Sequence, residues 1–105
     1  MATYDFTGPL WRWADERGDG ADSWHFVTVP AEVSEQIRES LVEPPRGFGS
    51  VRVAVRVGAT AWETSVFPDK QSGCYVLPMK RAVRRAEALE PGDPVAVSVT
   101  LRDGS

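Results

Sequence analysis

A chain of 105 residues with a net charge of −3 fits one domain, spanning 1–105, with one modest hydrophobic core. The slightly acidic balance disfavours a general nucleic-acid binder, which is usually basic, although it leaves room for a local basic patch. Cys74 is the only cysteine, so no intramolecular disulfide can form and a reducing, cytoplasmic setting is expected; no apolar run reaches the ~18 residues of a membrane helix, and MATYDFTGPL lacks the basic-then-apolar order of a secretion signal.

The first strand is expected over Thr3 to Trp13. Tyr4, Phe6 and Leu10 share one face; Trp11 and Trp13 share the other. Gly8-Pro9 interrupts this run and predicts a bulge or an edge position. Residues 14–23 form a polar, Gly-rich connection. Trp24 to Val29 is the second strand, rich in aromatic and β-branched residues. Pro30 ends it, and a helix follows from Ala31 to Val42 with Val33, Ile37 and Leu41 in one stripe.

Glu43 to Gly49 holds two prolines and two glycines and must be a loop. Ser50 to Gly58 alternates cleanly: Val51, Val53, Val55 and Val57 point one way, Arg52 and Arg56 the other. A turn at Gly58-Ala59 leads to a strand over Ala61 to Phe67. Pro68 to Gly73 turns the chain into a short strand, Cys74 to Leu77. Pro78 suits the first turn of a second helix, with Met79, Val83 and Ala86 as its buried stripe. Leu89 to Pro94 stops that helix, and Val95 to Leu101 is the last strand.

The order is β-β-α-β-β-β-α-β. Each helix follows a strand ending in proline, which gives a weak pseudo-symmetry between two halves. Six short strands with two short helices predict a mainly β protein, a small barrel whose ends the helices cover.

Several segments carry a family resemblance. Phe26-Val27, Val29-Pro30 and the helix after them form one; Gly47 to Val53 form a second. The strongest runs through Thr64 to Lys70, Tyr75 to Pro78 with Lys80 and Arg84, and Gly92 to Val95. In this order and spacing they resemble DUF1905, a family of bacterial and archaeal domains of unknown function. The resemblance implies a double-split β-barrel, a pseudobarrel capped by helices. That class also holds the AbrB-type and MazE-type DNA-binding domains, but those are smaller swapped dimers, and their DNA-binding role does not carry over.

No motif identifies a reaction. Four tryptophans in so short a chain are unusual. Trp11, Trp13, Trp24 and Trp62 all fall on expected strands, where they either fill the core or line an aromatic pocket. Lys80, Arg81, Arg84 and Arg85 form the densest positive charge. They make an anion site, or a solvated face neutralised by Glu87, Glu90 and Asp93. Ser65 with Lys70 or Lys80 has the residue types of a nucleophile and its base, but the plainer reading is a hydroxyl bonded to turn backbone. His25 is the only histidine. One histidine and one cysteine do not make an ordinary zinc site, so no metal and no cofactor are expected.

The expected function is a non-enzymatic small-molecule binding or interaction module. Its pocket would use Trp11, Trp13, Trp24, Trp62 and Ser65, rimmed by Lys70, Lys80 and Arg84, and its ligand would be a small anionic or aromatic molecule. The first alternative is a small hydrolase-like enzyme using Ser65 or His25 with Lys70 or Lys80. The second is a nucleic-acid-binding regulator, by fold analogy alone. No membrane partner is expected, and the oligomeric state is not encoded in any motif.

Overall fold

Valines at every second position give each long strand one apolar side, and that side must be buried. In the computed structural model, which describes residues 3–12, 24–40 and 49–102, they line the inside of a barrel. The elements are β1 (Thr3–Arg12), β2 (His25–Thr28), α1 (Ala31–Ser40), β3 (Val51–Val57), β4 (Thr60–Pro68), β5 (Tyr75–Pro78), α2 (Arg81–Ala86) and β6 (Pro94–Leu101). Trp13, Leu41, Val42 and the connections expected at 14–23 and 43–48 lie outside the described residues.

The six strands close in the order β1-β2-β5-β4-β3-β6, with every neighbouring pair antiparallel. Val51, Val53, Val55, Val57, Val95, Val97 and Val99 are buried in one core with Phe6, Leu10, Ile37, Met79 and Val83. Arg52 and Arg56 stand outside, exposed. One interior row runs Tyr4–Val99–Val55–Trp62 across four strands. Burying each such valine is worth roughly 1.5–3 kcal/mol, so the alternation fixes which way every strand faces.

β1 and β4 each change partners partway along. β1 pairs with β6 over Thr3 to Pro9 and with β2 from Leu10 on. β4 pairs with β3 over Thr60 to Val66 and with β5 over Phe67 and Pro68. Gly8-Pro9 therefore marks a hand-over inside a continuous strand. Pro9 faces Pro94, and neither has an N–H to continue the ladder. The Leu10 N–H turns instead to the Asp93 carbonyl at 2.9 Å, and the Gly92 N–H to the Leu10 carbonyl at 2.7 Å.

β2 and β5 are antiparallel neighbours, so the helices that follow them leave at opposite ends of the barrel. α1 buries Ile37 and Ser34, with Val33 half-buried. α2 begins later than the proline predicts. Pro78 is the last residue of β5, facing Phe26, and the Met79 N–H bonds to the His25 carbonyl at 2.9 Å. Lys80 is the extended N-cap, and the helix starts at Arg81. Ala86 is exposed rather than buried. The helix ends there in a Schellman-type cap: Ala88 N–H to the Arg85 carbonyl at 3.3 Å, Leu89 N–H to the Arg84 carbonyl at 2.8 Å. Leu89, beyond the cap, packs against the core.

Candidate functional site

Alternation along β2 sorts its side chains into two sets. His25, Val27 and Val29 are buried; Trp24, Phe26 and Thr28 face outward. Trp11 lies directly opposite Phe26 on β1, with ring centroids 5.0 Å apart and planes tilted by 35°. Trp24 stacks on the Phe26 ring at 6.2 Å, the planes 9° from parallel. The Trp11 Nε1–H donates to Thr28 Oγ1 at 2.9 Å. That bond fixes the indole and leaves its face as the contact surface.

The apolar field continues across the wall. Val76 on β5 faces Thr28, and Phe67 on β4 faces Val76. Between them lies an open cleft of about 310 Å³ lined by Trp11, Trp24, Phe26, Pro68, Asp69 and Val76. Trp24 is 62% exposed and Phe67 38%.

One lip of the cleft is the β4–β5 turn, and it is tightly held. Asp69 exchanges backbone bonds with Cys74 and Gly73, both at 2.8 Å. Its carboxylate accepts the Ser72 hydroxyl at 2.9 Å and the Gln71 N–H at 3.3 Å. From α1, Arg38 donates to the Gly73 carbonyl at 2.7 Å and lies over the Tyr75 ring at 5.4 Å. The cleft is thus built from strands on one side and a pinned turn on the other, and it is shaped before any ligand arrives.

The expected site residues fall in several places. Trp11 and Trp24 share the outer cleft. Trp62 lies opposite Val55 and packs against the core from inside; its indole nitrogen is buried with no hydrogen-bond partner among the described residues. Ser65 stands on the outer face of β4, opposite Arg52. Lys70 is exposed in the β4–β5 turn beside Asp69, and Lys80 is exposed at the start of α2. Among the described residues, no hydrogen bond joins Ser65 to either lysine. His25 is buried on the inward side of β2, across the barrel wall from the face that carries Ser65. Arg84 belongs to a separate cleft on α2. Trp13 lies outside the described residues.

Phe26, Pro68, Asp69 and Val76 complete the cleft without having been expected there. Phe26 was within reach of the period-two pattern, since Trp24 and Phe26 must share a face when Val27 and Val29 share the other. The same parity places Trp62 with inward-facing Val66.

No group of three or more His, Cys, Asp or Glu side chains comes together among the described residues in a way that could hold a metal ion. The family model described as "Domain of unknown function (DUF1905)" matches residues 6–99. No curated protein sequence matches the chain.

Proposed function

The chain belongs to the DUF1905 family, whose description carries no activity, and from the cleft itself we propose a non-enzymatic binding module that takes a flat aromatic or apolar group against Trp11, Trp24 and Phe26. Trp24 carries the reading. It is 62% exposed, yet stacked in parallel on Phe26. Fully burying a large apolar side chain stabilises a fold by roughly 1.5–3 kcal/mol, and this ring forgoes much of that. Its position serves contact with something outside the barrel better than it serves folding. Contiguous exposed apolar surface of this kind marks interaction sites, and offset stacking on a preset aromatic pair favours planar guests. A reducing, cytoplasmic setting fits the single free cysteine, Cys74, and no described helix is long and apolar enough to cross a membrane.

Tryptophan fluorescence titrated with indole-, phenyl- and naphthyl-bearing compounds tests the proposal. A saturable change is expected in the native chain and its loss in Trp24→Ala, with the melting temperature nearly unchanged because that ring packs little into the core. No response to any of these compounds, or an undiminished response in Trp24→Ala, would sink the idea.

A further inference from the structure

Arg84 and Arg85 follow Arg81 by three and four positions in the same short helix, so the three side chains share a side. They line a cleft of about 510 Å³ with Ala88, Leu89 and Glu90. The sequence offers Glu87, Glu90 and Asp93 to neutralise them, and the structure sends two of these elsewhere. The Glu87 carboxylate accepts the Thr60 hydroxyl at 2.6 Å. The Asp93 carboxylate accepts the Glu90 N–H at 2.8 Å. Glu90 lines the cleft but forms no ion pair; among the described residues the one ion pair joins Arg102 to Glu63.

Arg84 is the fixed member of the group. It is half-buried, and its Nε–H donates to the Met79 carbonyl at 3.1 Å. That bond leaves the two terminal nitrogens of the guanidinium as free donors in a planar fork. Burial first, and the nearby charge of Arg81 second, push its pKa below the usual arginine value.

We propose that this cleft binds the multiply charged phosphate group of a small molecule, with Arg84 as the preset fork and Arg81 and Arg85 closing on it. An oxyanion there relieves the like-charge repulsion along the helix and accepts charge-assisted hydrogen bonds that no protein acceptor supplies. A small molecule fits better than a nucleic acid, because the chain as a whole carries −3 and its field opposes a polyanion beyond this one patch. The site is independent of the aromatic cleft.

Calorimetric titration of the full chain with inorganic pyrophosphate, at constant ionic strength, tests this. Arg81→Gln and Arg85→Gln are each expected to weaken binding about tenfold or more, the loss of one charge-assisted hydrogen bond. Glu90→Gln should tighten it, and Trp24→Ala should leave it alone. The exposed Arg81 and Arg85 carry the test, since Arg84→Gln also cuts the tie to Met79 and can loosen the fold. Parallel titrations with inorganic phosphate and a sugar phosphate separate a free-ion source from a phosphorylated metabolite. The proposal is overturned if sodium chloride at matched ionic strength reproduces the effect, or if the Arg81→Gln/Arg85→Gln double variant binds pyrophosphate undiminished. Tighter binding to a DNA duplex than to pyrophosphate at physiological salt would overturn it in favour of a nucleic acid.

Discussion

The hydroxyl of Ser34 accepts the backbone N–H of Tyr75 at 3.0 Å and donates to the Val29 carbonyl at 3.1 Å. One side chain on α1 thus ties the end of β2 to the start of β5, beside the backbone bond from Val29 N–H to the Tyr75 carbonyl at 2.8 Å. Ser34 is 1% exposed, so water cannot replace it. Ser34→Ala is expected to destabilise the protein by about 1–3 kcal/mol, the cost of a buried donor left unpaired. Urea denaturation reads this as a lower midpoint at unchanged slope. A variant within error of the native midpoint would show that Tyr75 finds another acceptor.

Gly58 turns β3 into β4 with φ +57°, and a Cβ there would collide with the Glu87 carboxylate. Gly58→Ala is therefore expected to cost more than about 1 kcal/mol, from left-handed backbone strain plus the clash. In a Glu87→Ala background only the strain remains, so the same substitution should cost less. A double-mutant cycle by thermal melting should return a coupling of about 0.5–3 kcal/mol. Simple additivity would mean that the Glu87 carboxylate swings aside without penalty.

Ala88 is the one non-glycine at positive φ, 54°, among the described residues. It holds the left-handed position of the cap that ends α2, where glycine is the usual occupant. Ala88→Gly should raise stability by about 0.5–1 kcal/mol, because the relieved strain exceeds the added freedom of the unfolded chain. A lower melting temperature would contradict the assigned cap.

Val53 is fully buried between β4 and β6, while its neighbour Arg52 is exposed. Val53→Asp would place an unpartnered carboxylate in the core and should unfold the domain. Arg52→Asp should change stability by less than about 1 kcal/mol. Circular dichroism of the two variants distinguishes these outcomes.

These contrasts show where the chain was readable. The valine runs in β3 and β6 could be assigned to a face because a period of two leaves one choice of side. Their placement in a closed barrel followed from the element order and the family resemblance. Ser34 was invisible because a polar residue in an apolar stripe reads as solvent-facing, and its role depends on a strand 41 residues away. Pro78 misled because proline suits both the end of a strand and the first turn of a helix, and only the pairing with Phe26 decides. The arginines of α2 were legible as a charge cluster. That two of their acidic neighbours, Glu87 and Asp93, are engaged elsewhere was not, since those bonds are set by the hairpin turn and the cap.

Exchanging β1 with β4, β2 with β5 and β3 with β6 maps every strand pairing of the barrel onto another: β1–β2 onto β4–β5, β1–β6 onto β4–β3, and the β2–β5 and β3–β6 pairs onto themselves. Those last two pairs, and both β1–β6 and β3–β4, join the halves to each other. Only β1–β2 and β4–β5 lie within one half. Neither half can therefore act as an autonomous folding unit, because most of its hydrogen-bonding partners belong to the other. The chain must settle distant segments together, which slows folding and makes loss of structure a single cooperative event rather than the peeling of one half from its twin.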